Sequence, residues 1–151
     1  MVKLPFTITN LENHQTKNIL TQDANGSLTV IWRDWDEILL SHPKMIYITS
    51  VYPGEIKGPH IHKLRTSSFI CISGKVVFVI KDQDGKYFEI SVNADTPTMI
   101  TVPNNIASAH KNLHQKTSKI LVLADIAWKP NDNEMMNVDF DDYDWSKWDK
   151  N

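Results

Sequence analysis

The chain has 151 residues, of which 41% are hydrophobic and 23% charged, the composition of an ordinary globular protein. Its formal net charge is -2, which excludes the basic field that attracts nucleic acid or an anionic membrane. It contains no apolar run of the roughly 18 residues that a membrane span needs, and its first ten residues lack the apolar segment of a signal peptide. A single cysteine, Cys71, excludes an internal disulfide, so we expect a soluble cytoplasmic protein.

Short runs of β-branched and aromatic residues, separated by turn residues, follow one another along the chain. Only Trp35–Ser41 is a candidate helix, and the dipeptide Asp84-Gly85 is the strongest hairpin turn. The succession of short strands predicts an all-β fold, an antiparallel sandwich or small barrel. The predicted strands are Leu28–Trp32, Met45–Tyr52, Ile56–His62, Ser68–Ser73, Lys75–Lys81, Tyr87–Val92, Thr98–Val102, Ala107–Leu113 and Lys119–Asp125.

No internal repeat or linker divides the chain, which predicts one domain over residues 1–151 with a core at about 23–128. Residues 129–151 differ, because they are acidic and aromatic. This segment is either a polar tail or a segment that packs over the barrel mouth or a partner subunit. We favour packing, because two tryptophans and a tyrosine within six residues are costly to expose.

The most informative stretch contains two histidines, His60 and His62, within a predicted strand. Residues two apart on a strand point to the same face, so both imidazoles project together. Such a pair suits metal binding or proton transfer, because histidine titrates near neutral pH. The pair is flanked by three cations, Lys57, Lys63 and Arg65.

Here the sequence resembles the cupin superfamily, whose first motif reads G-x5-H-x-H-x(3,4)-E-x6-G. The match runs from Gly54 through His60 and His62 to Gly74, but Ser67 stands at the glutamate position. The resemblance implies a jelly-roll barrel with the two histidines on its inner face.

The second cupin motif departs from the pattern in the same way. Its P-x-G-x-x-H core is occupied by residues 103–108, with Ser108 in place of the histidine. Two imidazoles are fewer than the three protein ligands typical of catalytic zinc, so we expect no metal. His110 follows two residues later and also points inward if the segment is a strand.

Metal-free cupins with these features resemble nucleotide-sugar isomerases, namely the dTDP-4-dehydrorhamnose 3,5-epimerases and the dTDP-4-keto-6-deoxyhexose 3,4-ketoisomerases. The similarity covers roughly residues 23–128 and rests on residues 25–30, 57–63 and 102–103. The two-histidine phrase looks more like the ketoisomerases, whereas the Asp-Tyr-Asp-Trp phrase of the tail looks more like the epimerases.

The resemblance implies that His60 is the base that removes a proton next to the ketone, with His62 as a second candidate. Epimerases place a tyrosine acid on a strand that corresponds to residues 120–128, which contain none. Tyr47 and His110 are therefore the replacement acids that we consider.

Substrate binding is expected from cations and short polar residues near the pair. Lys57, Lys63 and Arg65 are predicted to form a positive rim for the phosphates. The predicted binding set is completed by Ser67, Ser108 and Asp125.

The function expected from the resemblance is isomerisation of a nucleotide-diphosphate sugar in the synthesis of surface-polysaccharide sugars, with no cofactor. We favour epimerisation at C3 and/or C5, next to the 4-ketone, by proton abstraction and return. The alternatives are 3,4-ketoisomerisation and a non-catalytic sugar-binding cupin. The superfamily commonly pairs through edge strands, so a homodimer is expected.

Overall fold

The computed structural model describes residues 3–149, and within them the chain forms strands, turns and one 3₁₀ helix at Trp145–Trp148. None of these residues forms a helix long and apolar enough to span a bilayer. The strands are β1 (Thr7–Asn10), β2 (Glu12–Lys17), β3 (Ala24–Val30), β4 (Met45–Val51), β5 (Ile56–His62), β6 (Ser67–Ser73), β7 (Lys75–Lys81), β8 (Tyr87–Asn93), β9 (Thr98–Val102), β10 (Ala107–Asn112), β11 (Ser118–Ala124) and β12 (Met135–Asn137).

Two five-stranded antiparallel sheets make up most of the fold. Sheet 1 has the strand order β1-β9-β6-β11-β4, and sheet 2 has the order β12-β5-β10-β7-β8. The hairpin β2–β3 forms a separate two-stranded sheet. The all-β class predicted from the sequence is therefore confirmed.

The core lies between the two sheets, as the side-chain alternation of β7 shows. Val76, Phe78 and Ile80 pack into the same buried cluster as Ile100 and Ile120, which belong to sheet 1. The intervening residues, Val77 and Val79, point to the opposite face of sheet 2 and are equally buried. Because β7 is covered on both faces, its sequence is a continuous apolar run.

Each sheet has a cover on its outer face. On sheet 1, residues 31–39 (the loop cover) pack half-buried Ile31, Trp32, Ile38 and Leu39 against Ile70, Met99 and Leu123. On sheet 2, residues 129–149 (the tail cover) pack Phe140 and half-buried Val138, Tyr143, Trp145 and Trp148 against the outward residues of β7 and β10. The tail does pack, but on the outer face of sheet 2 and not over the barrel mouth that the sequence analysis named.

The predicted strands correspond to β3–β11, with ends displaced by at most four residues. Three strands were missed. β1 joins sheet 1 and β12 joins sheet 2, so both sheets extend beyond the predicted core of 23–128. β2 reads Glu-Asn-His-Gln-Thr-Lys and lacks the apolar alternation that identifies a strand.

The predicted helix at Trp35–Ser41 is wrong, because the segment forms turns. The carboxylate of Asp36 accepts a hydrogen bond from the Arg33 amide at 2.7 Å, and the Asp36 amide donates back to the Arg33 carbonyl at 3.0 Å. Such local side-chain bonds compete with helix formation. Ile38 and Leu39 of the segment pack half-buried against the outer face of sheet 1, whereas Trp35 and Leu40 are exposed.

Candidate active site

A cavity of about 200 Å³ opens between the two sheets. Its walls come from β4 and β6 of sheet 1 and from β5, β10 and β12 of sheet 2. All four catalytic candidates predicted from the sequence line it. The lining residues are Tyr47, Thr49, Lys57, His60, His62, Arg65, Phe69, Ser108, His110 and Met135.

An irregularity in β5 explains why Lys57 lies in this cavity beside the histidines. On the neighbouring strand β10, Ser108 pairs with His60 and His110 pairs with Lys57. The two pairs are two positions apart on β10 but three apart on β5, so β5 carries one extra residue between them. A single extra residue reverses the inside–outside alternation of a strand. Lys57 therefore shares the face of His60, although their positions differ by an odd number.

His60 is held by the neighbouring strand β12. Asn137 lies opposite it in register, and the His60 Nδ1 donates to the Asn137 amide oxygen at 3.0 Å. With Nδ1 carrying the hydrogen, Nε2 keeps its lone pair. Burial lowers the pKa of His60, and the charges of His62 and Lys57 lower it further against the opposing effect of the Asn137 hydrogen bond. The ring is thus neutral and can accept a proton.

His62 has a charged partner, Glu134, which is 4% exposed. The His62 Nδ1 donates to Glu134 Oε2 at 2.7 Å, while Oε1 accepts from the amides of Arg65 at 2.9 Å and Leu64 at 3.2 Å. Burial raises the pKa of the Glu134 carboxyl, but these hydrogen bonds outweigh burial and bring the pKa below its ordinary value. Glu134 is therefore an ionised carboxylate that orients His62 and can balance the charge of its protonated form.

Glu134 and Asn137 are site residues that sequence reasoning missed. Both belong to the tail cover and contact the histidines from more than seventy positions away in the chain. The resemblance to epimerases pairs the base with an acid, which was the one available signal. The acidic tail offers many candidates, however, and only the register of β12 on β5 singles out Glu134.

Tyr47 is contributed by β4 and enters the cavity from sheet 1. Burial raises its pKa, and the nearby Arg65 guanidinium only partly offsets this. The phenol therefore keeps its proton near neutral pH and is available as an acid.

His110 is also in the cavity, but its environment does not suit the acid role. It is 8% exposed and packs against Phe78, with ring centroids 5.2 Å apart. Burial, followed by the charges of Lys57 and His60, lowers its pKa to about 4. The ring is consequently neutral near pH 7 and has no proton to give as an imidazolium.

The three cations of the predicted rim lie in different surroundings. Lys57 faces the cavity, where its ammonium donates to Thr49 Oγ1 at 2.6 Å. Lys57 is nevertheless exposed, whereas Arg65 is buried with an exposed fraction of 5%. Lys63 is exposed but is not part of the cavity lining. The three residues do not share a face, because the extra residue in β5 shifts Lys57 and the chain turns after His62.

The other predicted binding residues are dispersed. Ser108 lines the cavity opposite His60 in register, and Ser67 is buried in β6 without being part of the cavity lining. Asp125 lies in a separate recess and accepts a hydrogen bond from the Thr66 amide at 2.8 Å, which is a structural contact at the end of β11. Within residues 3–149, no three His, Cys, Asp or Glu side chains are arranged to hold a metal ion.

Comparisons with known proteins bear on this geometry. The family model described as "FdtA: WxcM-like, C-terminal" matches residues 8–144. Among curated protein sequences, none matches.

Solved structures with the same fold cover almost the whole chain. A dTDP-sugar isomerase from Desulfovibrio desulfuricans has a TM-score of 0.77 at 17% identity, over 93% of this chain and 90% of its own. A 3,4-ketoisomerase from Thermoanaerobacterium thermosaccharolyticum, solved as a histidine-to-asparagine mutant with TDP-4-keto-6-deoxyglucose, has a TM-score of 0.72 at 18% identity, over 89% and 88%. A 3'-monoepimerase from Streptomyces bikiniensis, solved with dTDP-quinovose, has a TM-score of 0.71 at 12% identity, over 89% and 69%.

Proposed function

The chain belongs to the family described as "FdtA: WxcM-like, C-terminal", and from this premise we propose that it is an isomerase of a nucleotide-linked 4-keto-6-deoxy sugar. The similar solved structures are a dTDP-sugar isomerase, a 3,4-ketoisomerase and a 3'-monoepimerase. All three names describe isomerisation or epimerisation, and the ketoisomerase was solved with a 4-keto-6-deoxy sugar nucleotide. The cavity contains the groups that this chemistry requires, a neutral base and a protonated acid.

The observation that carries the proposal is the paired anchoring of His60 and His62. Both rings lie on one face of β5, and each has its Nδ1 engaged by a tail-cover residue. Nε2 is then the free nitrogen of both rings, and both rings line the cavity. Two adjacent groups on one side of a sugar ring can serve two adjacent carbons.

This arrangement supports 3,4-ketoisomerisation. A histidine removes the C3 proton, the C3–H electron pair becomes the C3=C4 bond, and the former carbonyl pair moves to the C4 oxygen. The C4 oxygen takes a proton, the C3 hydroxyl loses its proton as its oxygen forms the new C3 carbonyl, and the C3=C4 pair takes a proton at C4. The ketone moves from C4 to C3 without gain or loss of atoms, so the scheme requires no redox partner.

Epimerisation next to the ketone, at C3 and/or C5, which the sequence favoured, is the second candidate and is supported by Tyr47. Inversion requires proton return from the opposite side of the ring, and Tyr47 enters from sheet 1, opposite the histidines of sheet 2. The two outcomes share the first step and differ in where the proton returns.

The cavity is smaller than the roughly 300–1,000 Å³ of sites that enclose a drug-sized ligand. We therefore propose that it holds the sugar, with the nucleotide diphosphate outside it. Lys57 is the cavity cation that we assign to the phosphate next to the sugar. Lys57→Ala should raise KM with little change in kcat. An unchanged KM would remove Lys57 from the diphosphate site.

Incubation with TDP-4-keto-6-deoxyglucose in deuterated water tests the proposed function. A product with the ketone at C3 supports ketoisomerisation, whereas a ketone kept at C4 with inversion at C3 and/or C5 supports epimerisation. Binding with neither change indicates a non-catalytic sugar-binding protein and contradicts the proposal. His60→Asn and His62→Asn should each slow the reaction on the order of 10²–10⁴. His14→Asn is the matched control, because His14 is an exposed histidine of the separate hairpin.

We also propose a homodimer and a cytoplasmic location. β4 is the edge strand of sheet 1, and Ile46 and Ile48, each 59% exposed, point outward from it. An exposed apolar edge strand is a surface that natural proteins usually cover. Sedimentation at micromolar concentration should show a dimer, and a monomer would contradict this assignment.

A further inference from the structure

The most unusual polar group in the cavity is the guanidinium of Arg65. The residue is 5% exposed, and its Nε and Nη2 atoms are buried without a hydrogen-bond partner within residues 3–149. No ion pair involves it among those residues. A buried charge is normally paired, because an unpaired one is strongly destabilising.

The protein nevertheless holds Arg65 in place from its backbone. The Arg65 amide donates to Glu134 Oε1, the same carboxylate whose other oxygen binds His62. The carboxylate is thereby occupied by His62 and by two backbone amides. Glu134 thus sets the relative position of Arg65 and His62. The guanidinium interacts with the Tyr47 phenol, and its Nε and Nη2 donors stay unused.

We propose that Arg65 binds two adjacent oxygens of the sugar, O3 and O4 of the enediolate, through Nε–H and Nη2–H. This inference rests on the proposed function. The two N–H groups lie on one edge of the planar guanidinium and are parallel, the geometry that matches two neighbouring acceptor oxygens. The enediolate carries its oxygens on the two carbons of one double bond and its charge on them. The unpaired donors therefore find their partner only when that charge develops.

The diphosphate is the other anion that a guanidinium can bind, and the cavity argues against it. Arg65 lines the same small cavity as both histidines and Tyr47, where the reacting carbons must lie. A cation for the diphosphate belongs at the exposed edge of this cavity, where Lys57 lies, whereas Arg65 is 5% exposed. If Arg65 binds the diphosphate, its substitution should weaken TDP binding. If Arg65 binds the enediolate of the sugar, TDP affinity should stay nearly unchanged.

The test compares wild type with Arg65→Lys and Arg65→Gln. We measure TDP affinity by calorimetry and proton exchange from bound TDP-4-keto-6-deoxyglucose in deuterated water. We expect TDP affinity to stay within about threefold and exchange to fall about 10²–10³-fold in both variants. Lysine should not rescue, because it is a point charge without the two-pronged edge. Lys119→Gln removes an exposed charge and is the matched control.

Three results would overturn the inference. Near-normal exchange in Arg65→Lys would show that two parallel donors are not needed. A tenfold or larger loss of TDP affinity would assign Arg65 to the diphosphate. If neither variant has the near-ultraviolet circular dichroism of wild type, the variants are misfolded and cannot test the inference. Binding of acetohydroxamate to the wild-type protein then tests it instead. This planar ligand has two adjacent oxygens and should compete with substrate, and failure to compete would also overturn the inference.

Failure of the proposed function is distinguishable from failure of the Arg65 assignment. If wild type neither exchanges the sugar proton nor moves the ketone, the proposed isomerase activity is wrong. Acetohydroxamate binding in the presence of TDP then tests Arg65 by itself. Binding that Arg65→Lys abolishes supports a two-oxygen site, and absence of binding to wild type contradicts it.

Discussion

The two covers of the sandwich do similar structural work but differ in their relation to the active site. The loop cover buries the outer face of sheet 1, and the tail cover buries the outer face of sheet 2. None of the cavity-lining residues belongs to the loop cover. The tail cover, by contrast, adds β12 to the sheet beside β5 and supplies the hydrogen-bond partners of both histidines.

This difference shows how a segment that completes a hydrophobic core can also become part of a site. Phe140 is 5% exposed among the residues of sheet 2, which anchors the tail cover just beyond β12. Tyr143 donates to Glu89 at 2.7 Å, and Trp148 donates to Tyr143 at the same distance, so the segment is held at several points. Apolar burial therefore supports the positions of Asn137 and Glu134.

The largest effect should come from removing the anchor of the tail cover. Phe140→Ala is expected to lower the free energy of unfolding by about 3–5 kcal/mol, because it leaves a cavity under the tail. It should also lower kcat at temperatures where the protein is folded, since β12 is loosened. Ile38→Ala, in the half-buried loop cover, is the matched control and should cost less stability with kcat unchanged. Equal losses of kcat in both variants would contradict the claim that only the tail cover supports the active site.

The next effect is that of Glu134→Gln, which keeps the size of the side chain but removes its charge. His62 would lose the anion that balances its protonated form, and we expect kcat to fall about 10²-fold. Because the pKa of Glu134 is lowered, the wild-type carboxylate is already ionised at neutral pH. The loss of kcat in Glu134→Gln should therefore persist as pH rises above 7. Circular dichroism controls for folding. A variant with kcat near wild type would show that the carboxylate only holds the backbone of Leu64 and Arg65.

A smaller effect is expected for Asn137→Ala, because a neutral hydrogen bond contributes about 1 kcal/mol, or roughly fivefold in rate. The pH profile is the sharper readout. The base His60 must be neutral, and its pKa lies below 6.5, so kcat/KM should fall as pH drops through that lowered pKa. The Asn137 hydrogen bond raises this pKa, and its removal should move the acid limb to lower pH. An acid limb at an unchanged pH would show that the Asn137 contact does not affect the pKa of His60.

The smallest expected effect is that of a chelator, which should change kcat by less than about twofold. Serines stand at two of the four expected cupin ligand positions, Ser67 and Ser108, and Glu134 is hydrogen-bonded to His62. Elemental analysis checks the same point. Stoichiometric zinc or iron, lost together with activity, would make the pair His60 and His62 a metal site and overturn the proton-transfer assignment.

Much of the fold could be predicted from local patterns. The strands β4–β11 have the apolar residues and turn signals that a sheet requires, and the spacing of His60 and His62 placed both on one face. Polar strands such as β2 could not be predicted in this way, because their pairing depends on a partner strand and not on their own composition.

The sequence by itself determined the all-β class, the inward histidine pair and the aromatic character of the tail. Only the tertiary structure decided which residues serve that pair. The extra residue in β5 moved Lys57 to the inner face, and the turn after His62 buried Arg65 where an exposed rim was expected. Contacts of Glu134 and Asn137 with the histidines join positions 72 and 77 residues apart. Local periodicity carries no information about such contacts, because strand register is set by the packing of whole sheets.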